Sequence, residues 1–375
     1  MPVWGRELPD FPWDLLAPYA EKARQHSDGI IDLSVGTPVD PTPHIIQTAL
    51  AAAADSSGYP TTIGTVEFRQ SAIDWLQTHH DVVGLSLNQV LPSIGSKEIV
   101  AWLPTHLGLG PADAIALPRT AYPTYEIGAR LAGCSSLLAD SVDELEAAFN
   151  AAEASGRTLR MAWLNSPSNP TGAVTSISEL TEIVQWARKR NVLIVSDECY
   201  IDLGWDAKPV SVLNQTVCGG DFAGVIAVHS LSKRSNLAGY RAGFIAGDEN
   251  VIKAVLEVRK HSGMILSSPV QHAAAVAFSD VQHVAKQRER YQNRREIVMA
   301  ALKDAGFTIE HSNAGLYVWC TRAESDWKTV DWFAQRGVLV APGSFYGEAG
   351  GEHVRVALTA TDERIGQLAS RLRLS

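Results

Sequence analysis

Ser230-Leu231-Ser232-Lys233 follows the run Val225-Ile226-Ala227-Val228, and Gly239-Tyr240-Arg241-Ala242-Gly243 comes shortly after it. The apolar, β-branched run reads as a buried strand, which sets a lysine just beyond the strand's end. A lysine taken out of water loses its proton readily and becomes a nucleophile towards carbonyls. Ser230, Ser232 and Arg241 are the kind of donors that hold a phosphate. Together they point to an aldehyde cofactor that carries a phosphate, pyridoxal 5'-phosphate. A surface Ser/Lys turn after a strand would show the same letters, so the rest of the chain has to decide.

The 375 residues are enough for two domains, and 46% hydrophobic with 19% charged residues is ordinary for a globular protein. A net charge of -9 gives nucleic acid no electrostatic invitation. The basic run Lys286 to Arg295 carries acids within and beside it and, at helical spacing, reads as a solvated face rather than a polyanion site. Cys134, Cys199, Cys218 and Cys320 are scattered without a Cys-x-x-Cys pair, which fits a reduced, cytoplasmic protein better than a disulfide or zinc framework. No metal and no membrane are expected: no apolar run approaches the length of a bilayer span, and the N-terminus has no signal pattern.

Upstream, further strand-like runs end in polar clusters. Gly29 to Val35 ends at Gly36-Thr37-Pro38, where glycine lets backbone approach a ligand. Val90 to Ile94 leads into Gly95-Ser96-Lys97, a helix start with free N–H groups for an anion, although serine is also simply a good N-cap. Ala114 to Pro118 precedes Tyr122 and Tyr125, and Met161 to Asn165 precedes Ser166-Pro167-Ser168-Asn169-Pro170-Thr171-Gly172. Two asparagines in that register exceed what a turn requires. Asn191 to Val195 ends at Ser196-Asp197-Glu198-Cys199-Tyr200. A carboxylate there would keep a pyridine nitrogen protonated, or would merely cap a helix. Arg355, inside the apolar strand Val354 to Leu358, either pairs with a structural acid or receives a substrate carboxylate.

Ser-x-Ser-Lys followed by Gly-x-Arg-x-Gly, with Asn-x-x-x-Asn-Pro-x-Gly and the Tyr59, Gly64, Phe68, Arg69 loop, resembles the signature of class I/II aminotransferases of the aspartate aminotransferase fold, fold type I. The resemblance covers nearly the whole chain in order. It implies that Lys233 binds the cofactor aldehyde and moves the proton, while Asp197 sits at the ring nitrogen. Tyr122 would stack on the ring, and Asn169 and Tyr200 would reach its oxygen. Ser96, the Lys97 amide, Ser230, Ser232 and Arg241 would hold the phosphate, joined by Tyr59 from the partner chain of a homodimer. Gly36, Asn169 and Arg355 would bind the substrate, an amino acid or a 2-oxo acid.

Strands alternating with helices give the fold expectation: an α/β protein with a large, doubly wound, mostly parallel sheet domain and a smaller α+β domain. The expected division is an arm over 1–35 that joins the small domain, a large domain over 36–264 and a small domain over 265–375. GxGxxG and Walker A patterns are absent. The segments Leu8 to Asp14 and Ser34 to Pro43 resemble the actinobacterial type of succinyldiaminopimelate aminotransferase, which serves lysine and diaminopimelate synthesis with glutamate as donor. The alternatives are an aminotransferase for aspartate, alanine or aromatic substrates, a β-lyase on the same fold, and a ligand sensor, which lacks a visible DNA-binding module.

Overall fold

The computed structural model describes residues 8–373. Strand β1 (Ile31–Leu33) is followed by β2 (Val90–Ile94), β3 (Asp113–Leu117), β4 (Ser135–Leu138), β5 (Thr158–Asn165), β6 (Leu193–Asp197), β7 (Val225–Ser230) and β8 (Ala242–Gly247). The chain then forms β9 (Thr308–His311), β10 (Tyr317–Thr321), β11 (Val338–Pro342) and β12 (His353–Ala357). A seven-stranded sheet runs in the order β2-β8-β7-β6-β5-β3-β4, with β8 antiparallel to both neighbours and the remaining pairs parallel.

Its central strands are apolar on both faces because helices cover both. Ile194 and Ala227 belong to one core, and Val195, Ile226 and Val228 to the other, as the two-residue period of a strand requires. Asn165 pairs with Asp197, and Asp197 with Val228, so the carboxyl ends of β5, β6 and β7 lie side by side. That edge is where an open α/β sheet receives ligands.

The second sheet has five strands in the order β1-β11-β12-β10-β9. The N-terminal β1 pairs parallel with β11, and Leu16, Ala20, Ile31 and Leu33 share the core of that sheet. The structure moves the other expected boundary. The helix Ser268–Ser279 buries Ala273, Ala274, Ala277 and Phe278 in the large-sheet core, so residues from 265 to 279 belong with the large domain.

On the helix Gln282–Asp304 the basic run is solvated at Lys286, Arg288, Glu289 and Arg290, but its last two arginines turn inward. Arg294 is 2% exposed and Arg295 is buried too, because both find carboxylates far away in sequence. Arg294 bonds Asp40 at 2.7 and 2.8 Å, and Arg295 pairs with Asp206. Helices run over Val66–His80 and Ile177–Arg190, the second capped by the Ser176 hydroxyl, which accepts from the Glu179 N–H at 3.2 Å. Among the described residues no helix is long and apolar enough to cross a membrane.

Candidate active site

A cavity of about 940 Å³ opens between the sheets at the carboxyl ends of β5, β6 and β7. Gly36, Ser96, Lys97, Tyr122, Asn169, Asp197, Tyr200, Ser230, Ser232, Lys233, Arg241 and Arg355 all line it. Residues far apart in the chain meet there, as in the bond from Arg355 to the Ser34 carbonyl, 321 positions away. Tyr59 stands apart, on the surface of the single chain at 101% exposure.

Lys233 lies in the one-turn helix Leu231–Arg234, started by the Ser230 hydroxyl, which accepts from the Ser232 N–H at 3.2 Å. Burial pulls the pKa of Lys233 below its ordinary value, which favours the neutral amine. Its Nζ donates to the Gly36 carbonyl, a neutral partner. Gly36 itself is dictated by crowding, since a Cβ there would run into the Tyr317 ring.

Asp197 is 6% exposed and has no cation beside it. The Tyr125 hydroxyl donates to its Oδ2 at 3.0 Å, and the Cys199 N–H to its Oδ1 at 3.2 Å. Burial raises the Asp197 pKa against these bonds. Tyr125 is a buried aromatic. It packs, stacked on Trp163 at 4.9 Å, but its hydroxyl also orients the carboxylate. Asn165 builds the loop that follows β5. Its side chain accepts from the Asn169 N–H at 2.7 Å and donates to the Pro167 and Asp197 carbonyls. Asn169 is thereby aimed into the cavity.

On the small-sheet side, Arg355 is 2% exposed, and its guanidinium meets neutral groups alone. It donates to Asn169 Oδ1 at 2.8 Å and to the Ser34 carbonyl at 2.5 Å, with Nε left unpaired. It lies over the Tyr317 ring at 4.0 Å and the Tyr346 ring at 4.9 Å. Tyr317 and Tyr346 carried no sequence signal, because an aromatic in a small-domain strand or turn is ordinary core. Across the cavity, Arg241 takes up a positive φ of 56° and bonds the Ala238 carbonyl at 2.9 Å. Gly95 gives its guanidinium room, since a Cβ there would strike it. Leu8 to Trp13 and Phe345 line the cavity as well, and Lys97 Nζ lies 5.6 Å from the Phe11 ring.

A buried carboxylate without a cation, a buried guanidinium without an anion and a buried amine meet in one cavity. Desolvated charges of this kind are costly unless a ligand completes them. The donor set fits a phosphorylated aldehyde with a basic ring nitrogen, together with a carboxylate-bearing substrate. This defines the class as an enzyme of pyridoxal phosphate.

The family described as aminotransferase class I and II matches residues 28–372, and the chain belongs to it. Enzymes of this family depend on pyridoxal phosphate and use amino acids and 2-oxo acids. The chain is 52% identical to the 4-dedimethylamino-4-oxo-anhydrotetracycline transaminase of Streptomyces rimosus, over 98% of this chain and 99% of that one. It is 53% identical to a probable aminotransferase of Mycobacterium tuberculosis, over 97% of this chain and 85% of its relative. Among solved structures, an aminotransferase from Neisseria meningitidis superposes with a TM-score of 0.88 at 29% identity, covering 97% of each chain. A probable N-succinyldiaminopimelate aminotransferase from Thermus thermophilus superposes at 0.85 and 27% identity, over 96% of this chain and 99% of that one.

Proposed function

We propose that this aminotransferase takes its amino group from glutamate and exchanges it with a 2-oxo acid that is anionic at its far end, in the manner of N-succinyl-LL-diaminopimelate:2-oxoglutarate aminotransferase of lysine and diaminopimelate synthesis. The observation that carries the reading is Arg355, a buried guanidinium with neutral partners, which asks for a substrate carboxylate. A substrate with a second anionic end wants a second cation, and Lys97 stands on the cavity rim beside Phe11. The name of the Thermus thermophilus neighbour agrees with this substrate.

In this reading Lys233 is the base that holds and moves the proton at the substrate α-carbon, its neutral form favoured by burial. The cofactor supplies an electron sink for that proton's departure. Asp197, oriented by Tyr125, would serve the ring nitrogen, and Tyr122, on the cavity wall, would hold the ring. Asn169 and Tyr200 would donate to the ring oxygen. Arg241, Ser96, the Lys97 amide, Ser230 and Ser232 grip the phosphate at the start of the helix Gly95–His106. Tyr59 reaches the same phosphate from a second copy of the chain, which its full exposure in one chain leaves it free to do. Arg355 would hold the substrate carboxylate and so orient the substrate for proton removal by Lys233.

A second reading has its own observation. Phe11, Trp13, Phe345 and Tyr122 give the cavity an aromatic wall, and the Streptomyces rimosus relative is named for a polycyclic substrate. The test records the visible band of the purified protein with pyridoxal phosphate and adds substrates one at a time. Bleaching by glutamate and by N-succinyl-LL-diaminopimelate, reversed by 2-oxoglutarate, supports the first reading. Bleaching by aromatic or polycyclic amines instead favours the second. Release of ammonia and a 2-oxo acid without bleaching makes the protein a lyase and removes both.

A further inference from the structure

Tyr200 and Tyr317 meet across the cleft between the two sheets. Tyr200 follows β6 of the large sheet, and Tyr317 opens β10 of the small one, yet their hydroxyls are 3.0 Å apart and both rings are buried. The rings meet edge to face, with centroids 5.7 Å apart. Tyr317 has two further attachments. Its ring is the platform under the Arg355 guanidinium at 4.0 Å, and its hydroxyl lies against Gly36, whose carbonyl accepts from Lys233. One phenol thus touches the residues that would read the substrate carboxylate, the ring oxygen and the proton-moving amine.

We propose that Tyr317 is a positioning residue that links the seating of Arg355 to the hydroxyl of Tyr200, so that the small domain sets how strongly Tyr200 donates into the cofactor site. The reading rests on the proposed contact of Tyr200 with the ring oxygen. The Arg355 guanidinium is the charge that faces the pair, with the Lys233 amine nearby, and around it stand Cys199, Tyr122, Tyr291 and Tyr346, whose burial favours their protonated forms. Burial would raise the pKa of either phenol; the Arg355 charge offsets this at Tyr317, while burial pushes Tyr200 up. Tyr200 has a single proton, and in the proposed reading it goes to the ring oxygen, so the hydrogen between the two hydroxyls comes from Tyr317. Tyr200 then donates onward with its own proton, and the chain of bonds strengthens both.

Tyr317→Phe keeps the platform under Arg355 and deletes the hydroxyl; Tyr317→Leu deletes both. The holoenzyme is titrated with pH while the cofactor's visible band is followed, with Tyr200→Phe as the reference. In Tyr317→Phe the midpoint moves up by roughly 0.5 to 1 unit, the scale of one hydrogen bond. Its kcat falls by about fivefold with KM for the amino donor nearly unchanged, whereas Tyr317→Leu also raises KM by roughly tenfold, as lost cation–π support does. A midpoint that moves in Tyr200→Phe but not in Tyr317→Phe overturns the proposal. A midpoint that moves in neither shows that Tyr200 does not touch the ring oxygen, and the link falls with it. Equal KM increases in Tyr317→Phe and Tyr317→Leu refute the separation of platform from hydroxyl.

Discussion

The junction between the domains holds two arginines, Arg294 and Arg355, each 2% exposed, in opposite electrostatic settings. Arg294, on the helix Gln282–Asp304, is matched by Asp40 at 2.7 and 2.8 Å and by Asp362 at 2.6 Å. Arg355, on β12, meets an amide oxygen, a carbonyl and two aromatic faces. A cation buried with its counter-ions belongs to the scaffold. One buried without them is held ready for a ligand, and the protein bears that desolvation cost in its free state. Lys233 falls on the second side, with a carbonyl for a partner and burial favouring its neutral form.

The largest expected effect is at that unmatched amine. Lys233→Ala removes the candidate base that follows β7 and should bring turnover to the assay background while the protein still folds and binds cofactor through its phosphate contacts. Measurable turnover at more than about one part in a hundred of the parent rate would take Lys233 out of the mechanism, since general base catalysis alone is worth ~10²–10⁴-fold. Arg355→Met comes next. The kcat/KM for amino-acid substrates should fall by roughly 100- to 1000-fold, the scale of losing one partner of a buried charge pair. Its stability to urea should stay within about 1 kcal/mol of the parent, because the desolvated charge and the two bonds it makes are lost together.

Arg294→Met reverses the pattern: activity per folded molecule persists, and stability falls by about 3 to 5 kcal/mol as Asp40 loses its partner. The pH dependence carries the sign. Burial would raise the Asp40 pKa, but the bonds and charge of Arg294, with Gln287 and Arg290, hold it below 3.8. A carboxyl lowered by folding stabilises above its ordinary pKa, and that contribution disappears as pH falls through the lower folded value. The deficit of Arg294→Met is therefore largest near neutrality and shrinks on acidification below about pH 4. Urea titrations at several pH values test it; a deficit that does not change with pH separates Arg294 from Asp40.

Sequence made one side of this comparison legible and hid the other. Strand-end clusters such as Asp197 to Tyr200 and Ser230 to Lys233 carry chemistry within a few residues, so their polar letters stand out against an apolar run. The two parts of the phosphate cradle are equally local. Arg355 was left between a structural acid and a substrate carboxylate, because no local pattern says what faces a lone arginine in a strand. Arg294 was read as solvated for the same reason, since its partner Asp40 lies 254 residues away. Tyr317 and Tyr125 look like core aromatics, and their hydroxyls acquire meaning only when Tyr200 and Asp197 arrive from another part of the chain. The 264/265 boundary was missed because an apolar helix does not name the sheet it covers.

The smallest effect is the sharpest check on the comparison, because Arg294 has two carboxylates in unlike surroundings. The side chain of Asp40 is 9% exposed and takes both terminal nitrogens, whereas that of Asp362 is 68% exposed and takes Nε. A pair of charges 4 Å apart interacts by about 1 kcal/mol in water and by ~4 kcal/mol at an effective dielectric of 20, so burial rather than distance separates the two acids. Asp362→Asn should cost about 0.5 kcal/mol or less and lose even that in high salt. Asp40→Asn should cost several times more and respond weakly to salt, since its site excludes water. Urea denaturation of both variants at low and high ionic strength distinguishes them. If Asp362→Asn proved as costly as Asp40→Asn, the number of carboxylates near Arg294 would matter and their burial would not. The contrast with Arg355 would then have to be drawn from pairing alone, with desolvation no longer the quantity that marks a ligand site.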